Sequence, residues 1–381
     1  MQNNNHVSWL EISSQAIKHN LNQVRKVIDK KTIVMPIIKA NAYGHGFFEV
    51  VSILKKLKIK WLGVASLEEA LELRRLNYKG RVLVLSFYNP NLLEDAIENK
   101  ITLTVYGYGA AKQLNKLSKK LKIKTSIHFK IDTGTSRLGL SPDKAITEIL
   151  NIKSLSNLKL EGIFSHLADA ENTNQIFSRK QNLAFDYVAK ELQRKGVEIP
   201  LKHLACSAST FLNKSTHKDM IRYGISLYGL WSIEEKKFRQ RYINKNITLK
   251  PVLSWYTRVL QVKEIKKNSN IGYGQSYKTK KKTKIAIIPV GYYDGYDRKL
   301  SNNAQVLING KRCSVIGRVC MNLTIIDVSK IPSIKPGDIV ILIGKNKGEY
   351  ISVDDLAKRI GTINYEVTTR INNNIPRLII N

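Results

Sequence analysis

The chain has 381 residues, 43% of them hydrophobic, enough for two domains or one large barrel with an addition, and no apolar run approaches the roughly 18 to 20 residues that span a bilayer. A formal charge of +33 would point to nucleic acid or an anionic surface if it were concentrated. Lysine is instead spread along the chain with asparagine and isoleucine, and only Lys278–Lys284 forms a basic run, so a diffusely basic surface and no specific nucleic-acid role are expected.

Cys206, Cys313 and Cys320 are odd in number and lack a CxxC pair, and the seven histidines show neither HxxxH nor HExxH spacing. The pattern predicts no disulfide framework and no catalytic metal. The opening "MQNNNHVSWLEISS" has no basic region followed by an apolar stretch, and a cytoplasmic location is the expectation.

From the N-terminus, Ser13 or Ser14 caps a predicted helix whose apolar positions are Ile17, Leu21, Val24 and Ile28. Short apolar runs then alternate with helical segments: "TIVMPII", "WLGVAS", "RVLVLSF", "ITLTVY", "SIHFKI", "LEGIFS", "PLKHLAC" and "RYGISLYG". Eight strands alternating with helices predict a parallel (β/α)8 barrel. After about residue 240 the runs "SWYTRVLQVKEI", "KIAIIPVG", "AQVLING", "KRCSVIGRV", "LTIIDVS" and "DIVILIG" are separated by turn residues, and only "SVDDLAKRIG" reads as helix. The expected class is thus α/β plus β. A barrel over 12–240 is expected to be followed by a mostly-β domain over 241–381, which the N-terminal segment 1–11 joins.

A barrel concentrates its chemistry at the C-terminal ends of its strands. Lys39 in "IIKANAYGHG" stands at such an end, as do "KIDTGTSRLG", "SHLADAE", "CSAS" and "RYGI". A lone lysine there is ordinarily a solvated strand terminus. A desolvated amine at the same place is a nucleophile able to form a Schiff base.

"IIKANAYGHG" resembles the pyridoxal-phosphate lysine signature of the alanine racemases. "HFKIDTGTSRLG", "SHLADAE", "RYGISLYG", "IGYGQSY", "IPVGYYDGY", "GRVCMN", "TINYEV" and "IPR" resemble that family's blocks in the same order. The resemblance implies an isomerase that interconverts L-alanine and D-alanine, a cell-wall precursor. It implies that Lys39 holds pyridoxal phosphate as an internal aldimine and is one of two opposed bases, the other being Tyr273. An isolated phenol is only about 0.1% ionised at neutral pH, and the resemblance supplies the help such a base needs as His166 and Arg222. Arg222 corresponds to the arginine facing the pyridine nitrogen, where a permanent cation keeps that nitrogen unprotonated. Arg137 corresponds to the contact for the substrate carboxylate and the cofactor's phenolic oxygen. Lys130 matches a position carbamylated in family members.

By the same resemblance the cofactor phosphate is held by the hydroxyls of Tyr43, Ser207 and Tyr365 and by the backbone N–H groups of Gly224 and Ile225. The backbone N–H of Met321 reaches the substrate carboxylate. Asn322 departs from the family, which commonly carries aspartate there, and this opens a wider substrate range that includes serine. The family also implies a homodimer in which the β domain of one subunit completes the barrel site of the other. A fold-related decarboxylase needs no second base and is disfavoured by "IGYGQSY". A basic nucleic-acid-binding protein that has lost catalysis is disfavoured by the joint presence of Lys39, Tyr273, Arg137 and Arg222.

Overall fold

The structure, a computed structural model, describes residues 5–233 and 236–381, so residues 1–4 of the expected N-terminal segment lie outside it. Strand β1 (Ser8–Ser13) leads into the helix Ser14–Arg25. Ser13 Oγ accepts from the Ala16 N–H at 3.1 Å, the expected cap, and Ile17, Leu21 and Val24 are buried. Ile28 falls beyond the helix, contrary to the periodicity. Asp29 turns the chain there, its carboxylate accepting from the Lys31 N–H at 2.8 Å and its carbonyl from the Thr32 N–H at 3.0 Å.

The chain divides into two compact units. One, comprising Lys18–Ala40 and Val50–Lys250, contains β2 (Ile33–Pro36), β3 (Trp61–Val64), β4 (Arg81–Val84), β5 (Thr102–Val105), β6 (Thr125–Lys130), β7 (Leu158–Phe164), β8 (Leu201–His203) and β9 (Met220–Tyr223). β3 to β8 form a parallel sheet in chain order, and β2 pairs in parallel with β9. The bridge between Ile37 and Gly63 joins β2 to β3. The Arg222 N–H, donating to the Ala205 carbonyl at 3.0 Å, ties β9 to the end of β8. The eight strands therefore close as the barrel that the alternating pattern predicts, with mostly buried apolar strand residues such as Leu83, Leu103 and Ile127. "RYGISLYG" is strand only as far as Tyr223; Ile225–Tyr228 forms a 3-10 turn ended by Gly229 in the left-handed region.

The other unit contains the residues up to Ile17, Asn41–Glu49 and Pro251–Asn381. Its main sheet runs in the order Lys311–Ser314, Gln305–Ile308, Ile339–Asn346, Leu253–Arg258, β1 and Arg377–Ile380. Strands Gln261–Ile265, Thr283–Ile288 and Thr324–Asp327 form a second, antiparallel sheet. The helix Val353–Ile360 has a reciprocal Ser352–Asp355 capping box and ends at Gly361 in the left-handed region. It is not the one helix after residue 240, as the sequence led us to expect: Asn364–Thr369 is also helical, despite β-branched Val367, Thr368 and Thr369. Tertiary burial of Val367 and Thr368, with Asn364 Nδ2 donating to Asp354 Oδ1 at 2.8 Å, overrides local propensity.

Candidate active site

The backbone itself directs Lys39 to the barrel mouth. The Ile37 N–H donates to the Tyr223 carbonyl at 2.9 Å and the Ile38 N–H to the Gly63 carbonyl at 3.0 Å, so the chain stays in register with β9 and β3 up to the residue before Lys39. Directly afterwards the helical sense reverses. Ala40, Asn41, Ala42 and Tyr43 have φ of 54°, 52°, 52° and 55°, a left-handed turn that costs L-residues roughly 1–2 kcal/mol each. Two side chains hold it. Glu69 Oε1 accepts from the Ala40 N–H at 2.7 Å while Oε2 accepts from the Ala65 N–H at 2.8 Å. Asn41 Oδ1 accepts from the Phe47 N–H. Lys39 is exposed, yet the packing around its amine lowers the amine's pKa below the ordinary lysine value. The Arg137 and Arg222 cations act in the same direction, against the Glu69 carboxylate.

Arg222, on β9, is buried and held by five acceptors. One terminal nitrogen donates to Nδ1 and to the carbonyl of His203 at 3.0 and 3.1 Å. The other donates to the carbonyls of Ser165 and Leu204 at 2.7 and 2.8 Å and to Nδ1 of His166 at 3.2 Å. Because a guanidinium only donates, Nδ1 of His166 accepts and the ring proton belongs on Nε2. Burial first, and then the charges of Arg222 and Lys130, keep His166 well below the usual histidine range, so it is a neutral imidazole.

Lys130 ends β6 and is buried, its ammonium 4.8 Å from the Phe164 ring centroid. Burial, with Arg222 and Arg137 nearby, brings its pKa down to about 7, so near neutrality much of it is a free amine. Two residues further on, Asp132 shapes the loop that carries Arg137. Its Oδ1 accepts from the N–H groups of Gly134 and Thr135 at 2.9 and 2.7 Å, and its Oδ2 accepts from the Arg137 N–H at 3.1 Å. Burial raises the Asp132 carboxyl, but these hydrogen bonds more than offset it and the net shift is downward.

Ser207 begins the short helix after β8, and its Oγ accepts from the Gly224 and Ser226 N–H groups at 3.0 and 3.4 Å. Ser207, Gly224 and Ile225 are thereby brought to one place within the barrel unit. In the other unit, the rings of Tyr43 and Tyr365 lie 6.0 Å apart. Tyr273 lies in a 3-10 turn with 71% of its surface exposed, and Met321 is 55% exposed. Asn322 is exposed as well.

Sequence reasoning passed over Glu69, Asp132, His45 and His203. Ser66-Leu67-Glu68-Glu69 carries the S-x-x-E spacing of a capping box, and Asp132 before Thr-Gly-Thr carries the signature of an Asx turn. His45 is buried, with Nδ1 3.0 Å from the Tyr43 carbonyl, and burial brings its pKa down to about 4. For His203 there was no local signal, since its partners lie on other strands.

Two family models cover the chain: the alanine racemase N-terminal domain matches residues 12–232 and the C-terminal domain residues 252–379. The alanine racemase of Methanococcus maripaludis is 40% identical over 374 residues, covering 98% of each chain. The solved alanine racemase of Clostridium difficile 630 superposes with a TM-score of 0.92 at 33% identity, covering 99% of this chain and 96% of that one. That of Bartonella henselae, with covalently bound pyridoxal phosphate, does so with a TM-score of 0.86 at 26% identity, covering 98% and 100%.

Proposed function

This chain belongs to the alanine racemase family, and on that premise we propose how its own residues divide the interconversion of L-alanine and D-alanine. The observation that carries the reading is the setting of Lys39: an amine of lowered basicity at a strand end, among Arg137, Arg222 and Glu69. The residues fit pyridoxal phosphate. A lysine with a depressed pKa suits its aldehyde, and the Ser207 hydroxyl beside the Gly224 and Ser226 N–H groups suits its phosphate. When bound, this cofactor supplies an electron sink that acidifies the Cα–H of the amino acid joined to it.

Lys39 is the attachment point and one base; its lowered pKa leaves more of the amine free to take a proton. Tyr273 is the opposing base, so that removal on one face of Cα is matched by delivery on the other. His166, neutral and fixed with its proton on Nε2, and Arg222, permanently charged, support the proton transfers. Arg222 would also meet the cofactor's pyridine nitrogen, where its permanent charge would disfavour protonation and restrain the electron sink. Arg137 and the Met321 N–H receive the substrate carboxylate. Ser207, Gly224 and Ile225 receive the phosphate, with Tyr43 and Tyr365 as further donors. The Lys130 amine is the site for carbamylation, and the carbamate would orient Arg137. The exposed Tyr273 and Met321 belong to a 241–381 domain that completes the site of a second copy's 12–240 barrel. We place the enzyme in the cytoplasm, supplying D-alanine for peptidoglycan, without a sequence-specific nucleic-acid partner. No helix among the described residues is long and apolar enough to cross a membrane.

Borohydride reduction of the cofactor-loaded protein, followed by peptide mapping, tests the attachment point: the cofactor is expected on the peptide containing Lys39, and a label on another lysine overturns the assignment. Chiral analysis of products from a panel of L-amino acids tests the substrate, with D-alanine as the principal product.

A further inference from the structure

Behind Arg222 the barrel interior holds a line of polar groups that the scheme above leaves unused. His203 Nε2, on β8, lies 2.9 Å from His128 Nδ1, on β6. His128 Nε2 lies 3.6 Å from Oε2 of Glu161, on β7, and that carboxylate is ion-paired with Arg81, on β4. His128 and His203 have no exposed surface and Glu161 only 4%.

The line has one consistent proton order. The Arg222 guanidinium donates to Nδ1 of His203, so the His203 proton sits on Nε2 and is donated to Nδ1 of His128. The His128 proton then sits on Nε2 and faces a carboxylate. Each proton points away from Arg222. The opposite order would aim a ring N–H at the guanidinium, and the Glu161 charge selects against it. Burial raises the Glu161 carboxyl, but His128 and Arg81 more than offset this and leave it below its ordinary value. The surroundings also fix the rings. Phe164 stacks on His203 with centroids 4.7 Å apart and planes 8° from parallel. At Gly162 any Cβ would lie 2.7 Å from His128 Nδ1, so the glycine makes room for the imidazole. A barrel interior is ordinarily filled by branched apolar residues, and apolar replacement of a buried ionic group is often neutral or stabilising. Packing alone gives no reason for this set.

We propose that His128 and Glu161 are positioning residues for the racemase reaction, forming with His203 a proton-ordered chain that holds the Arg222 guanidinium in one orientation and brings a negative charge to bear on it. The inference rests on the role given to Arg222 above.

The test uses three full-length variants. In H128F the chain is cut. In H128Q the amide can accept from His203 and donate to Glu161. E161Q keeps an acceptor oxygen and removes the charge. Ring-nitrogen NMR of the apoprotein is expected to show His128 and His203 neutral and protonated on Nε2 in the wild type, with mixed tautomers in E161Q. In the cofactor-loaded enzyme, H128F is expected to lower kcat about tenfold, the lower end of what losing a ligand-orienting partner costs at metal sites, while the alanine KM stays nearly unchanged. It should also raise the share of turnovers lost to transamination, in which the alanine amino group passes to the cofactor and pyruvate leaves. H128Q should recover most of both losses, and E161Q should fall between. Nδ1-protonated rings in the wild type, or wild-type kcat and transamination in both H128F and E161Q, overturn the proposal. So does a loss in H128F that H128Q does not relieve. If H128F does not fold, E161Q decides alone. Arg222→Lys separates the two readings: if it leaves transamination unchanged, the role of Arg222 itself has failed, whatever the tautomers show.

Discussion

Gly44 lies against Thr368 so closely that a Cβ at residue 44 would fall 1.9 Å from the Thr368 carbonyl oxygen. This contact docks the loop after Lys39 onto the helix Asn364–Thr369 and accounts for the nearness of Tyr43 to Tyr365. Gly44 also has φ of +81°, where an L-residue is strained. Gly44→Ala is therefore expected to cost at least about 1–2 kcal/mol for the backbone conformation alone, with further loss from the clash. Thermal denaturation should show a lower Tm, and titration of the apoprotein should show weaker pyridoxal-phosphate binding; a variant unchanged in both would separate the docking contact from the phosphate site.

The loop of Arg137 depends on Asp132, which accepts three backbone N–H groups through its two oxygens. Asp132→Ala removes these acceptors together. Hydrogen bonds to a charged group contribute about 1.5–3 kcal/mol each at most and are not additive, so the expected result is a several-fold rise in alanine KM as Arg137 loses its position. Steady-state kinetics decide the matter: an unchanged KM, with the protein folded, assigns Asp132 to loop stability only.

Burial, with Arg222 and Arg137 nearby, brings the Lys130 pKa down to about 7 in the folded protein, far below the ordinary lysine value of about 10.4. Between these values the unfolded chain binds a proton that the folded chain does not, so stability rises with pH across this window. The contribution is fully present above the unfolded value and is lost as pH falls through the folded one. The stability difference between wild type and Lys130→Met is expected to shift in the wild type's favour as pH rises from about 7 to 10. The free amine can also attack carbon dioxide, forming an N–C bond and releasing a proton. Intact-mass measurement in bicarbonate, before and after acid treatment, should show one carbon dioxide that Lys130→Met lacks.

Asn322 is exposed beside Met321, at a position where the resemblance described above implies an aspartate. Asn322→Asp is expected to raise the ratio of kcat/KM for alanine over serine. An equal ratio in the two proteins removes the position from the account of specificity.

Tyr273 has 71% of its surface exposed, and a second copy of the chain is the proposed cover. Lys39→Ala and Tyr273→Ala homodimers should each be nearly inactive. Co-refolded heterodimers hold one site with both lesions and one with neither, so activity should return towards half that of wild type. If each tyrosine served its own chain's lysine, every site would keep one lesion, and mixed dimers would remain inactive.

The sequence by itself determined the barrel and the order of its blocks, because a strand buried on both faces must be a short continuous apolar run and a barrel must alternate such runs with helices. It also placed Lys39, Arg137, His166, Arg222 and Ser207 at or just beyond strand ends, since their motifs are contiguous in the chain. Only the tertiary structure decided what surrounds them. Lys130 reads as an ordinary charged strand residue until burial beside Arg222 lowers its pKa to about 7. His203 and His128 are 75 residues apart, and nothing local announces that their rings meet. The helix Asn364–Thr369 forms against its own propensity because Val367 and Thr368 are buried. Local patterns record the periodicity and capping that neighbouring residues impose. Desolvation, ion pairing and ring-to-ring contacts depend on which strands lie side by side, and that is fixed only when the sheets close.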